Sequence, residues 1–153
     1  MVYLGADHRG FFLKEKIKKY LENLNYKVVD LGNKIFDPKD DYPDFAKPVA
    51  LKVAKNPAKD KGILFCGSGN GMAIAANKAR GVRAILGFNE KIARMSREHN
   101  DANVLCLPAD FLKFETAKKI VKIWLDTSFS KEARHIRRLK KIERMEKPRK
   151  QTF

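Results

Sequence analysis

The chain has 153 residues, of which 44% are hydrophobic, and it carries a formal net charge of +15. This length suits one domain with one hydrophobic core, and the apolar content excludes an intrinsically disordered chain. No apolar run approaches the roughly 20 residues of a membrane-spanning helix, and Asp7 comes too early for the apolar segment of a secretory signal. We therefore expect a single-domain cytoplasmic protein with no membrane partner.

Five short apolar runs predict β-strands, over residues 2–6, 26–31, 63–65, 81–88 and 103–107. Amphipathic or alanine-rich segments predict helices over 11–24, 45–54, the residues after Gly71, 89–99, 111–125 and 131–145. Strands that alternate with helices in this way predict an open, mostly parallel sheet with helices on both faces. Such sheets bind their ligands at the carboxyl ends of the strands.

The stretch from Cys66 to Gly71, CGSGNG, is the most distinctive part of the sequence. Its glycines let a ligand approach the backbone, and the free N–H groups at the start of the next helix attract an anion and favour a thiolate at Cys66. A base beside an oxyanion site predicts catalysis. The structural alternative is an ordinary turn that follows a buried cysteine. Met72 and its neighbours fit neither a dinucleotide fingerprint nor a Walker A loop.

The two cysteines, Cys66 and Cys106, form no C-x-x-C pair. Neither a disulfide framework nor a zinc site is indicated, so both are predicted to be free thiols.

Two histidines lie beside predicted strands. His8 and its neighbour Asp7 follow the first strand, whereas His99 and Asn100 lie on the segment that leads into the fifth. We expect both clusters to lie at the same edge of the sheet as the glycine turn. The dipole at a helix C-terminus favours the imidazolium form of His99, which suits a proton donor.

Two further features leave alternatives open. Tyr42 lies in the polar loop 33–44, where it either contacts a ligand or packs on the start of the next helix. Arg134 and Arg138 share a helix face and could bind a phosphate. From the charge run alone, a solvated surface is the favoured interpretation of this helix, since residues 134–153 carry nine basic and two acidic side chains.

Taken together, six blocks of the sequence resemble the ribose-5-phosphate isomerase B family, which includes the allose- and galactose-6-phosphate isomerases. In chain order they are GADHRG from Gly5, DYP from Asp41, CGSGNG from Cys66 with AANK from Ala75, GVRA from Gly81, SREHNDANV from Ser96, and Arg134-His135 with Arg138. The likeness runs from about residue 2 to residue 142.

The resemblance implies a three-layer α/β/α sandwich with a five-stranded parallel sheet, of the Rossmann-like or flavodoxin-like kind. Residues 1–146 would form the isomerase domain, its C-terminal helix 131–146 would reach a partner subunit, and 147–153 would be a basic tail. The implied activity is the interconversion of ribose 5-phosphate and ribulose 5-phosphate through a cis-enediolate, without a metal or other cofactor. The implied assembly is a homodimer, or a tetramer, with each active site built from two chains.

The resemblance also implies a role for each matching residue. Cys66 would be the base, and Ser68 with the backbone of Gly67, Gly69, Asn70 and Gly71 would hold the oxyanion. His99, assisted by Asp7, would open the sugar ring. The phosphate would be bound by His8, Arg134 and Arg138, and the sugar would be lined by Tyr42 and Asn100. A partner subunit would then cover the C-terminal helix, which replaces its interpretation as a solvated surface.

One position distinguishes two branches of the family, and at two others the sequence departs from it. Some members use a glutamate as base where Met72 stands, so this chain resembles the cysteine branch. Asp110 occupies the position of an arginine that binds phosphate, and Glu132-Ala133 replaces a Gly-Gly pair.

The alternatives to this function are a six-carbon aldose 6-phosphate as substrate, a basic nucleic-acid-binding module, and an inactive paralogue. The family resemblance favours an isomerase with no nucleic-acid partner.

Overall fold

The computed structural model describes residues 1–146, and it forms five strands and six helices over that range. The strands are β1 (Val2–Ala6), β2 (Val28–Asp30), β3 (Lys61–Cys66), β4 (Ala84–Leu86) and β5 (Val104–Pro108). The helices are α1 (Phe11–Asn23), α2 (Tyr42–Lys55), α3 (Asn70–Ala76), α4 (Glu90–Asn100), α5 (Phe114–Asp126) and α6 (Ala133–Met145). Within this range no helix has the length and apolar character that crossing a bilayer requires. The tail 147–153 lies outside the described residues.

Every predicted element is present, and the differences lie at the element ends. The predicted strand 81–88 shrinks to three residues, because Gly81 adopts a positive φ of 79° and the side chain of Arg83 is held by the carbonyl groups of Asn100 and Asp101. Helix α2 begins at Tyr42, three residues before its predicted start, since a proline is compatible with the first turn of a helix. Tyr42 therefore belongs to a helix and not to the preceding loop.

The sheet has the order β2-β1-β3-β5-β4, and all four strand pairs are parallel. The register places Ala6 beside Phe65 and Cys66 beside Pro108. The loops that follow β1, β3 and β5 therefore start next to one another at one edge of the sheet, beside the point where the strand order reverses.

The predicted three-layer sandwich is confirmed. Side chains of β3 alternate between two hydrophobic cores, because successive residues of a strand point to opposite faces. Ile63 and Phe65 pack with α1, α4 and α5, whereas Leu64 and Cys66 pack with α2 and α3. Both faces of the central strand are thus covered, which holds its carboxyl end rigidly in place.

Helix α6 lies apart from these two cores. Its first turn contacts α4, where His135 is its single buried residue. Ile142 and Met145 remain 43% and 82% exposed, and a groove of about 480 Å³ runs between α6 and the segment around Gly81. The helix therefore keeps apolar surface that residues 1–146 do not cover.

Candidate functional site

Nine of the predicted site residues lie at the carboxyl edge of the sheet and form what we call the carboxyl-edge group. Loops after β1 and β3, together with the first turns of α2 and α3, supply its members, which are Asp7, His8, Tyr42, Cys66, Gly67, Ser68, Gly69, Asn70 and Gly71. The parallel register of β1 and β3 explains this grouping, since Ala6 and Phe65 are paired immediately before it. The structure thus has Asp7 and His8 at the same edge of the sheet as the glycine turn, where the sequence analysis expects them.

The glycine turn wraps closely around the end of β3. Gly69 has a φ of 78°, a conformation that residues with a Cβ rarely adopt, and its N–H donates to the Cys66 Sγ at 3.2 Å. The ring of Tyr42 packs against the other side of the turn. It lies so close that a Cβ added at Gly71 would be 2.7 Å from the Tyr42 Cζ. Ser68 is exposed at the tip. The turn thus places a backbone N–H group against the sulfur and a hydroxyl at its exposed tip.

Cys66 itself is only 4% exposed. Burial raises the pKa of its thiol, and the N–H groups of Met72 and Gly69, which act in the opposite direction, do not compensate fully. The expectation that the turn favours the thiolate is therefore wrong for the chain on its own. Desolvation of the sulfur raises the pKa of the thiol more than the N–H groups of the turn and of the short helix α3 lower it.

Asp7 shapes the loop after β1. Its side chain is 5% exposed, and one carboxylate oxygen accepts the backbone N–H groups of Arg9 and Gly10, each at 3.0 Å. Burial raises the pKa of Asp7 despite these two bonds. The carboxylate fixes the direction in which His8 and Arg9 leave the strand.

His8 is oriented by a residue that the sequence analysis missed. The Asp40 Oδ1 lies 2.7 Å from the His8 Nδ1 and also accepts the His8 backbone N–H at 2.8 Å. The Asn33 side-chain amide donates to the second Asp40 oxygen, and the backbone carbonyl of Asn33 accepts from the fully buried Lys14 at 2.6 Å. The Asp40 hydrogen bond raises the pKa of His8, and the His8 Nε2 remains available for a ligand. Only the fold could show this pair, because 32 residues separate its members.

A second ion pair at the carboxyl edge joins Arg9 to Asp110, which lies just after β5. The pair lies across Gly67, where an added Cβ would be 2.7 Å from both the Arg9 Nε and an Asp110 carboxylate oxygen. Asp110 therefore does not stand as an unpaired negative charge beside the glycine turn.

The remaining four predicted residues lie at the opposite edge of the sheet and form the amino-edge group: His99, Asn100, Arg134 and Arg138. Helix α4 returns against the strand direction, so its last residues precede β5. From the Gly62–Val104 pair to the Cys66–Pro108 pair the sheet advances four residues, or about 13 Å. The prediction that His99 and Asn100 lie beside the glycine turn of the same chain is therefore wrong.

The end of α4 is held firmly by charged side chains. Asp101 adopts a left-handed conformation and pairs with Arg97 at 2.8 Å and with Arg83 at 3.0 Å. The ring of the half-buried His99 stacks on His135, with centroids 4.5 Å apart and planes 13° from parallel. Burial of His135 lowers its pKa, and its Nε2 has no hydrogen-bond partner among residues 1–146.

Arg134 and Arg138 project from the exposed side of the same α6 turn. The Arg134 Nε donates to Glu132 at 2.9 Å, whereas Arg138 has no carboxylate partner within residues 1–146. The amino-edge group thus combines two stacked imidazoles with an exposed basic pair.

Comparison with known proteins identifies the family. A family model described as Ribose/Galactose Isomerase matches residues 2–142. The chain belongs to this family. Ribose-5-phosphate isomerase B of Escherichia coli is 40% identical over 148 residues, which cover 97% of each chain.

Two solved structures give the same result. The ribose-5-phosphate isomerase B of Mycoplasma genitalium, solved with bound ribulose 5-phosphate, has a TM-score of 0.92 and 48% identity over 95% of each chain. The type B ribose 5-phosphate isomerase of Trypanosoma brucei has a TM-score of 0.89 and 44% identity, over 95% of this chain and 97% of the other. The predicted family and α/β fold are both confirmed.

Within the isomerase family this chain keeps an apolar residue after the glycine turn. Met72, in the first turn of α3, is fully buried and packs in the same core as Cys66. A thioether carries no transferable proton, so Cys66 is the candidate base that the turn offers. Over residues 1–146, no cluster of three His, Cys, Asp or Glu side chains is arranged to hold a metal ion.

The His8–Asp40 pair gives a prediction about pH. We expect Asp40→Asn to lower the pKa of His8, because the neutral amide removes the charge that stabilises the imidazolium. The His8 imidazole should therefore lose its proton at lower pH than in the wild type, as measured by NMR titration of its ring signals. Asp37→Asn, an exposed change in the same loop, is the matched control and should leave the titration unchanged. An unaltered His8 titration in Asp40→Asn would contradict this account.

Proposed function

We propose that this protein interconverts ribose 5-phosphate and ribulose 5-phosphate as a cofactor-free aldose–ketose isomerase. The observation that carries the proposal is the Cys66 sulfur at the carboxyl edge, which accepts the N–H of Gly69 under a turn whose tip exposes Ser68. The close relative with bound ribulose 5-phosphate supports the same substrate class for this chain.

The proposed chemistry needs one base and one oxyanion site. The Cys66 thiolate takes the proton from carbon 2 of the open-chain aldose, and the released electron pair forms the carbon 1–carbon 2 double bond of the enediolate. As that double bond forms, the carbonyl electron pair of carbon 1 moves onto its oxygen, which then takes the hydroxyl proton from the carbon 2 oxygen. The thiol returns the first proton to carbon 1, and the oxygen on carbon 2 becomes the ketone. Ser68 and the N–H groups of the turn stabilise the enediolate oxygen, and each preorganised donor can contribute about 3 kcal/mol.

A buried thiol must first lose its proton. Because burial raises the pKa of Cys66, the free chain holds the thiol form at neutral pH. A second subunit that brings its basic Arg134 and Arg138 to this edge would add positive charge near the sulfur, which favours the thiolate.

We further propose that the active site is shared between two chains. The amino-edge group, which includes His99, lies at the far end of the sheet from Cys66. One chain alone therefore does not bring His99, the candidate for opening the sugar ring, close to Cys66, the candidate base. In a two-fold dimer, the amino edge of each chain can face the carboxyl edge of the other. The uncovered apolar residues of α6, Ile142 and Met145, support a subunit contact at this helix.

The direct test is a coupled assay of ketose formation from ribose 5-phosphate, with allose 6-phosphate and galactose 6-phosphate as six-carbon comparisons and EDTA present throughout. We expect turnover of ribose 5-phosphate at a kcat/KM at least about tenfold above that of either hexose phosphate, a discrimination of about 1.4 kcal/mol. A preference for a hexose phosphate would place the protein in the six-carbon branch. No turnover of any of the three would contradict the isomerase function itself.

Replacement of the base gives a second prediction. Cys66→Ala should lower kcat by about 10²- to 10⁴-fold, the usual range for loss of a positioned proton-transfer group. Cys106→Ala is the matched control, because it removes a buried thiol from the neighbouring strand but leaves the site intact. Size-exclusion chromatography and thermal unfolding check that both variants fold and assemble. Turnover near the wild-type rate in Cys66→Ala would remove this cysteine from the mechanism.

The shared site gives a third prediction, tested by mixing subunits. Cys66→Ala and His99→Ala should each be inactive alone. When the two are unfolded and refolded together, each mixed dimer contains one site with both lesions and one intact site, so about a quarter of the wild-type activity should return. Refolding each variant alone is the control and should restore none. If the mixture also stays inactive while mixed dimers form, the two residues act within one chain.

A further inference from the structure

The ion pair between Arg9 and Asp110 has no role in the proposed chemistry, yet it lies directly on the glycine turn. Arg9 follows β1 and Asp110 follows β5, so the pair bridges the two strands that flank β3. Gly67, the residue after Cys66, leaves the space that the pair fills. A link of this kind across the mouth of the site suggests a role in binding.

The position of Asp110 is fixed by the backbone. Its N–H donates to the carbonyl of Gly67 at 3.1 Å, and the N–H of Ala109 donates to the carbonyl of Cys66 at 2.8 Å. The carboxylate is therefore held beside the glycine turn, where an unpaired negative charge would repel an anionic substrate. Arg9 removes that repulsion.

Arg9 has hydrogen-bond donors that its contact with Asp110 does not use. A guanidinium carries five N–H donors, and the Asp110 contact is made through one terminal nitrogen. The Arg9 side chain is 57% exposed, so its other N–H donors are accessible to solvent. Its neighbour His8 also reaches this edge, with its side chain 30% exposed and held by Asp40. Two basic side chains, each held by its own carboxylate, thus leave the same loop.

We propose that Arg9 is a further substrate-binding residue that contacts the phosphate group of the sugar phosphate, and that Asp110 is its positioning residue. This inference rests on the proposed isomerase function. Arg9 is more suitably placed to contact the phosphate than the enediolate. The enediolate must lie against Cys66, which is buried, whereas the Arg9 side chain is exposed. The phosphate lies at the far end of the five-carbon chain from the reacting carbons.

The test compares four variants: Arg9→Ala, Asp110→Ala, the double variant, and Arg94→Ala. The last removes one positive charge from an exposed position of α4 and is the matched control. Two quantities are measured for each, the KM for ribose 5-phosphate and the inhibition constant of inorganic phosphate, which probes the phosphate contact alone.

We expect Arg9→Ala to raise both constants by about ten- to a hundredfold, the range for loss of a charge-assisted hydrogen bond, with a much smaller change in kcat. Asp110→Ala alone should raise both constants several-fold, because the guanidinium loses its support. In the Arg9→Ala background, the same Asp110→Ala change should lower them, because it removes an unpaired carboxylate. This reversal of sign distinguishes a binding role from a purely structural ion pair. Arg94→Ala should leave both constants near their wild-type values.

Three results would overturn the inference: constants in Arg9→Ala that match those of Arg94→Ala, a fall in kcat with the phosphate inhibition constant unchanged, or an Asp110→Ala effect of the same sign in both backgrounds. Failure of the proposed function is a separate result, since it would appear as a wild-type protein without isomerase activity. In that case, calorimetric titration with inorganic phosphate still decides whether Arg9 binds the anion.

Discussion

All five strands point in the same direction, and this polarity governs where every candidate residue can act. Residues that follow a strand collect at the carboxyl edge, whereas residues that precede one collect at the opposite edge. Cys66 and His8 belong to the first set and His99 to the second. About 13 Å of sheet separates the two ends, so no side-chain rotation within one chain can bring them into contact. The sheet therefore divides the candidate site into two halves, and assembly of two chains is the simplest way to complete it.

Much of the fold follows from local pattern, because hydrophobic periodicity is set by the geometry of each element. The strand β1 and the helices α1 and α4 lie within one residue of their predicted bounds. The short strand β4 departs most, because tertiary contacts to Arg83 shape the chain before Ala84. The order of the strands is not a local property. Nothing in the sequence between Ala84 and Val104 indicates that β5 pairs with β3 and leaves β4 at the edge of the sheet.

The site shows the same division between local and long-range information. The CGSGNG turn and its flanking strand could be found in the sequence because neighbouring residues build it. The pairing of Asp40 with His8 and of Asp110 with Arg9 could not, since each carboxylate meets its partner only after distant loops come together. The prediction that His99 lies at the carboxyl edge is wrong for a different reason. The segment that leads into a parallel strand starts at its amino end, and recognising that direction would have corrected the prediction from the sequence alone.

The charges at the carboxyl edge explain why assembly and substrate binding should be coupled. His8 is balanced by Asp40 and Arg9 by Asp110, so each cation is well oriented but adds little net positive charge. The net electrostatic attraction of a phosphate dianion, as distinct from its orientation, comes from cations that lack a carboxylate of their own. Within residues 1–146, Arg138 meets that condition, whereas its neighbour Arg134 is partly balanced by Glu132. If two chains share each site as proposed, the paired cations of one chain supply geometry and the unpaired cation of the other supplies attraction. Affinity for the phosphate would then rise as the dimer forms.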